Sequence, residues 1–178
     1  MKSLNATIFA ILAIFTVSIT ITALAGAEQP NVKIVALGAS NTEGYGVAPE
    51  ESYPSQLQAL LKAKGIDASI ANAGISGDPT GSMLARLDKA VPAGTQIVIL
   101  QPGTNDDRYG LGAEREGNIA KIKRSLSARG IKLIVIENGK LDELPRSELQ
   151  PDGVHFTAKG YKILAERLLP EVIAAMGE

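Results

Sequence analysis

Three runs of the sequence, Val32 to Leu37 (VKIVAL), Thr95 to Gln101 (TQIVILQ) and Ile131 to Glu137 (IKLIVIE), crowd β-branched and other apolar residues together. A strand that is apolar on both faces must be covered on both faces, which is the condition of a parallel sheet held between layers of helices. The intervening sequence agrees. Leu57, Leu60 and Leu61 follow Pro54 at helical spacing and stop at Gly65, Gly81 to Lys89 reads as a second helix, and Glu114 to Arg129 carries Ile119, Ile122 and Leu126 on one face before Gly130. A shorter strand, Ala68 to Ala71, lies between the first two runs. Asn138 to Pro151 is irregular, with a short helix or weak edge strand at most, and Thr157 to Leu169 is an amphipathic helix that a threonine caps.

Strands alternating with helices give an α/β fold of three layers, α/β/α, around a flavodoxin-like parallel sheet of four to five strands joined by right-handed crossovers. Ligands of such sheets sit outside the carboxyl ends of the strands, where the strand order reverses. For the order 2-1-3-4 the reversal falls between the first and third strands. Three loops then meet: Gly38 to Gly46, Asn72 to Thr80 and Pro102 to Arg108, with Ser40 facing Asn105.

The segment before the first strand belongs to a different class. Lys2 is its only charge before Glu28; an apolar run, ATIFAILAIFTVSITITALA, follows and ends in the small residues ALAGA. That pattern is expected of a signal peptide cut after Ala25 or Ala27, so that residues 1–27 are a leader and residues 28–178 one domain; the competing reading is an uncut membrane anchor. Either reading exports the domain, to the periplasm or beyond. With 45% hydrophobic residues in 178, the chain has enough apolar surface for one core. It contains no cysteine, so thiol nucleophiles, thiolate metal sites and disulfides are excluded. No basic stripe points to nucleic acid, and Lys121 to Arg129 reads as the solvated face of a helix.

Chemistry must therefore come from oxygen and nitrogen groups, and the only histidine is His155, in PDGVHFT. Asp152, three residues earlier, is placed to reach one ring nitrogen through a turn and leave the other free, the arrangement of a base and its orienting carboxylate. Ser40, in GASNTEGYG, is a turn or cap residue on one reading and a nucleophile on the other. Its loop lacks the glycine pattern of dinucleotide and phosphate loops and is not the GxSxG elbow, because Thr42 stands where the second glycine belongs. Asn105 in PGTND is a turn residue or an amide donor to an oxyanion. Gly77 in ISGDP is a turn glycine or a bare backbone N–H for the same oxyanion. Asp78, Asp106 and Asp107 sit beside Gly and Pro, where aspartates bond turn backbones, and are not read as metal ligands. Tyr45, Tyr53 and Tyr109 are expected in the core or on a rim.

Taken in order, the blocks LGASNTEGYGV, NAGISGDPTGSMLARL, QPGTND and PDGVHFTAKGY resemble the SGNH hydrolases, or GDSL-type esterases and lipases, in particular their small bacterial thioesterase/lysophospholipase-like and arylesterase-like branch. The resemblance covers nearly all of the chain after the leader. It implies Ser40 as nucleophile, Asp152 and His155 as the rest of a triad, an oxyanion hole from Ser40, Gly77 and Asn105, a small ester or thioester as substrate, and no cofactor or metal. Two departures accompany it. Ala39 replaces the aspartate of the family's Gly-Asp-Ser, and the stretch from Asn105 to Asp152 is short, which leads to the expectation of an open, shallow site. The alternatives are a noncatalytic binding module on the same fold and a carbohydrate O-deacetylase.

Overall fold

The computed structural model describes residues 31–177, so the leader and its expected cleavage positions lie outside the described residues. In chain order the elements are β1 (Val32–Gly38), α1 (Ser40–Glu43), α2 (Tyr53–Ala63), β2 (Ala68–Gly74), α3 (Thr80–Ala85), α4 (Leu87–Ala90), β3 (Ile97–Gln101), α5 (Asn105–Arg108), α6 (Gly112–Ala128), β4 (Lys132–Val135), α7 (Asn138–Asp142) and α8 (Ala158–Gly177). The four strands form one parallel sheet in the order β2-β1-β3-β4, the order expected.

Side chains alternate between the two faces of a strand, and here each face meets its own helical layer. Ile34 and Ala36 of β1 with Ile97 and Ile99 of β3 pack against Leu57 and Leu61 of α2 and Leu164 and Leu168 of α8. Val35, Leu37, Val98 and Leu100 face the other way, onto Met83 of α3, Leu87 of α4 and Ile122 and Leu126 of α6. Every residue of β3 is buried, whereas the edge strand β2 alternates partly buried and exposed positions. Two of the three doubly apolar runs, β1 and β3, are therefore central, whereas the third, β4, forms the edge opposite β2 and is only partly buried along most of its length.

The structure refines the sequence reading at several boundaries. Strand β2 runs three residues past Ala71, to Gly74, although asparagine and glycine disfavour strands. The Asn72 amide is satisfied by donating to the Thr42 carbonyl at 2.9 Å. The helix expected from Gly81 to Lys89 is split into α3 and α4 at Arg86. Helix α8 starts as expected behind Thr157, whose Oγ1 accepts from the Gly160 N–H at 3.1 Å. It then continues beyond Leu169 and through Pro170 to Gly177. A proline forfeits one helical hydrogen bond, and the turn beyond it is retained by burial of Val172 and packing of Ile173 and Met176 on the core. The irregular segment folds into α7 and a 3₁₀ turn, Arg146–Glu148.

Candidate active site

Strand β1 stops at Gly38 and α1 begins two residues later, at Ser40. The turn is tight: a Cβ on Gly38 would strike the Thr42 side chain and stand 2.8 Å from the Gln101 carbonyl oxygen. Only glycine lets α1 fold back over the strand end. The Ala39 carbonyl closes that first turn by accepting from the Thr42 and Glu43 N–H groups at 3.0 and 2.9 Å. The Ser40 N–H, at the open start of the helix, meets no backbone acceptor among the described residues. Ser40 is partly buried and opens on a cleft of about 650 Å³, which it shares with Asn105, Gly153, Val154 and Phe156. The expectation of an open, shallow site meets a built wall here, because Leu141 and Leu144 from the short Asn105–Asp152 stretch line the same cleft.

Asn105 opens α5 directly after the β3 loop. Its Nδ2 donates to the Asp78 carbonyl at 3.0 Å, which ties the third loop to the second and leaves one amide proton unspent. Gly77 precedes Asp78 and holds φ at +82°, a left-handed conformation natural to glycine. Its N–H has no acceptor among the described residues. Asp78 pairs with Arg86 through Oδ2 and Nε at 2.6 Å. Asp106 is fully buried and accepts from Thr80 Oγ1 at 2.6 Å and from the Thr80 N–H at 3.0 and 3.2 Å. The two aspartates are thus committed to turn and helix-start contacts. No group of three or more His, Asp or Glu side chains among the described residues is arranged to hold a metal.

Asp152 and His155 form a close pair, Oδ2 to Nδ1 at 2.6 Å. The second carboxylate oxygen accepts from the Val154 and His155 N–H groups at 2.9 and 3.0 Å. The His155 ring, followed by these two N–H groups, holds the Asp152 carboxyl down at about 2. An ionised carboxylate at Nδ1 fixes the tautomer of the neutral ring with its proton on Nδ1, so the lone pair lies on Nε2. The ring of Tyr45 covers the imidazole, with centroids 4.4 Å apart and planes tilted by 34°.

Helix α1 and the His155 loop are joined by side chains that the sequence reading did not single out. Asn41, next to Ser40, donates to the Val154 carbonyl at 3.4 Å and accepts from the Tyr161 hydroxyl at 3.1 Å. Burial raises the Tyr161 hydroxyl above the ordinary tyrosine range, so it remains a proton donor to Asn41 at neutral pH. Gln150 Nε2 donates to the carbonyls of Tyr45 and Phe156 at 2.8 and 2.7 Å and so ties the chain after α1 to the residue that follows His155. An asparagine beside a candidate serine was the one signal in the sequence; the partners Tyr161 and Val154 lie more than a hundred residues away.

Of the residues singled out from sequence, Ser40 and Asn105 share the cleft, Asp152 and His155 are hydrogen-bonded, and the neighbours of His155 line the cleft with Ser40. Gly77, Asp152 and His155 are not themselves among the lining residues; Gly77 stands one position from the carbonyl that holds Asn105. Tyr45 and Tyr109 are half-exposed and Tyr53 is in the core.

Comparison with known proteins gives this arrangement relatives. Residues 36–143 match the family described as GDSL-like Lipase/Acylhydrolase, a span that includes Ser40, Gly77 and Asn105 and ends before Asp152. The chain is similar to an arylesterase of Vibrio mimicus, 32% identical over 116 residues, which are 64% of this chain and 58% of that protein. It is also similar to esterase TesA of Pseudomonas aeruginosa, 29% identical over 108 residues, 58% of this chain and 52% of the relative. The matches thus span only a little over half the length of these curated relatives. Among solved structures, AlinE4, an SGNH-hydrolase family esterase, is 27% identical with a TM-score of 0.62, covering 85% of this chain and 100% of that one. The psychrotrophic esterase EstA from Pseudoalteromonas sp., solved inhibited by monoethylphosphonate, shares the fold at a TM-score of 0.72 and 18% identity, covering 83% of this chain and 100% of its own.

Proposed function

Because this chain belongs to the GDSL-like lipase/acylhydrolase family, we propose that it is a serine hydrolase of small carboxylic esters, acting by acyl transfer to Ser40. The observation that carries the reading is the Asp152–His155 pair, bonded at 2.6 Å on a loop whose flanking residues line the cleft of Ser40. His155 Nε2 takes the Ser40 hydroxyl proton as Oγ attacks the ester carbonyl. The carbonyl π electrons move to oxygen, and that oxyanion is met by the N–H groups of Ser40 and Gly77 and the free amide proton of Asn105. Asp152 stabilises the imidazolium without taking its proton. The tetrahedral centre collapses, the C–O bond to the alcohol breaks, and the imidazolium protonates the departing alkoxide. Water then gives its proton to Nε2 and adds to the acyl carbonyl; collapse releases the acid and returns the proton to Ser40.

None of these steps draws on a cofactor or metal. Thioesters fit the same chemistry, since the oxyanion donors address the carbonyl rather than the leaving atom. The relatives above are an arylesterase and an esterase, which favours oxygen esters. The leader pattern in residues 1–27 supports export, with the domain acting outside the cytoplasm; intact-mass measurement of exported protein, reading the loss of 25 or 27 residues, tests that part.

The activity is tested by turnover of p-nitrophenyl acetate and butyrate, with Ser40→Ala as the control. The wild type is expected to turn over and to be labelled at Ser40 by a fluorophosphonate, and the variant to do neither. Equal rates for the two proteins would overturn the reading, as would a label mapping to another residue.

A further inference from the structure

Arg86 is a cation with most of its side chain buried, 19% exposed, at the break between α3 and α4, away from the cleft lining. Its guanidinium makes three contacts, all at the site end of the sheet. Nε meets Asp78 Oδ2 at 2.6 Å, and Nη2 donates to the Gly38 carbonyl at 3.1 Å and to the Ala73 carbonyl at 2.9 Å. Gly38 is the last residue of β1, two before Ser40; Ala73 is the penultimate residue of β2, four before Gly77; and Asp78 holds Asn105 through its own carbonyl at 3.0 Å. One planar fork therefore touches the chain two residues before Ser40 and next to Gly77, and reaches Asn105 only through Asp78.

The break in the helix has the same logic. Arg86 takes φ −100° and ψ 8°, off the helical values, and this separates α3 from α4 at the residue whose side chain reaches the strand ends. An arginine is suited to the task because its donors are spread over a rigid plane and stay charged, whereas the three donors of a lysine share one freely rotating nitrogen. The Asp78 partner is itself 14% exposed, so the pair is shielded from solvent and geometrically constrained rather than a loose surface ion pair.

We propose that Arg86, with Asp78, is the positioning residue of the oxyanion hole: it sets the Gly77–Asp78 loop against the end of β1, and through the Asp78 carbonyl it aims the Asn105 amide. It touches no reacting atom. The inference rests on the serine-hydrolase reading above. A donor displaced but not removed loses part of the roughly 10²–10³-fold that outright loss of one donor costs in kcat. Arg86→Gln and Asp78→Ala are each expected to lower kcat by about tenfold while KM stays within about twofold, because the donors act on charge that develops only in the transition state.

The decisive test is the cycle with Asn105→Ala, measured by p-nitrophenyl butyrate turnover on folded protein. Once the Asn105 amide is gone there is less for Arg86 to aim, so either substitution should cost less than about threefold further. Arg129→Gln is the control, since Arg129 also holds a backbone carbonyl, that of Val91 just after α4, which belongs to none of the three loops; it should leave kcat unchanged. The inference is overturned if kcat of both variants stays within twofold of wild type, or if the full tenfold loss repeats in the Asn105→Ala background, because aiming of the Asn105 amide through Asp78 would then contribute nothing. Where Arg86→Gln does not fold, Asp78→Ala decides alone. Failure of the hydrolase reading is distinguished by Ser40→Ala, which would then match wild type whatever the Arg86 variants do.

Discussion

Adding the same methyl group at two glycines should move stability in opposite directions. Gly74 ends β2, paired in register with Gly38 of β1, and α1 lies directly on it. A Cβ built at Gly74 would overlap the Glu43 backbone nitrogen and stand 2.6 Å from Glu43 Cα and 2.7 Å from the Thr42 carbonyl carbon. All three are main-chain atoms, so no rotamer change relieves the clash, and either α1 or the strand end must shift. Overpacking of this kind costs about 1–3 kcal/mol. Gly117 sits in the middle of α6, exposed, with nothing within 4 Å of its would-be Cβ and no positive φ. There alanine removes only the entropy cost of a helical glycine and gains about 0.5–1 kcal/mol. For an unfolding slope of about 2 kcal/mol per M of urea, a loss of 2 kcal/mol lowers the midpoint by about 1 M, and the gain at Gly117 raises it by a few tenths. Gly74→Ala carries a second consequence, because the displaced element is the one bearing Ser40. A shift of about 1 Å at a reacting group is worth roughly a hundredfold in rate. Urea titration followed by fluorescence or circular dichroism reads the first effect, and p-nitrophenyl butyrate turnover the second. A Gly74→Ala protein with the midpoint and kcat of wild type would refute the placement of α1 on the end of β2.

Three further perturbations bear on the links around the site. The Asp152 carboxyl is held at about 2 in the folded chain against 3.8 when free, so its stabilising contribution is complete above 3.8 and is lost as pH falls toward 2. Partial exposure keeps that contribution modest; urea midpoints from pH 6 to pH 2 should fall less steeply for Asp152→Asn than for wild type, and superimposable acid limbs would contradict the pairing. Tyr161→Phe strips Asn41 Oδ1 of its 3.1 Å donor in a buried setting and should cost about 1–3 kcal/mol by urea titration; a neutral result would remove Asn41 as the link between α1 and the histidine loop. Asp106→Ala leaves the buried Thr80 N–H and hydroxyl without their acceptor, and is expected to lower the midpoint by an amount equivalent to about 2 kcal/mol or more, with Asp106→Asn restoring part of it.

Much of this molecule was legible in one dimension because its strongest signals are local. The doubly apolar runs at β1 and β3 demanded burial on both faces, and together with the intervening helical spacing they led to a parallel sheet in the order now seen. The Asp152–His155 pair was legible for a related reason: three residues separate them, and one turn brings a carboxylate to a ring. The elements missed were short. Helices α1 and α5 have four residues each, less than the span over which an apolar period shows itself, and they form because the chain turns sharply at the carboxyl ends of β1 and β3.

Residue type and near-neighbour spacing are enough to say which segments must be buried and which side chains are chemically able to transfer protons. What holds those side chains in register emerges from the packed chain. Asn41 meets Val154 and Tyr161 across more than a hundred residues, Arg86 gathers the ends of β1 and β2, and the wall of the cleft comes from a segment with no regular pattern. Taken alone, a polar side chain reports only its capacity to hydrogen-bond. Its partner is set by which backbone groups the packed sheet and helices leave within about 3 Å of it.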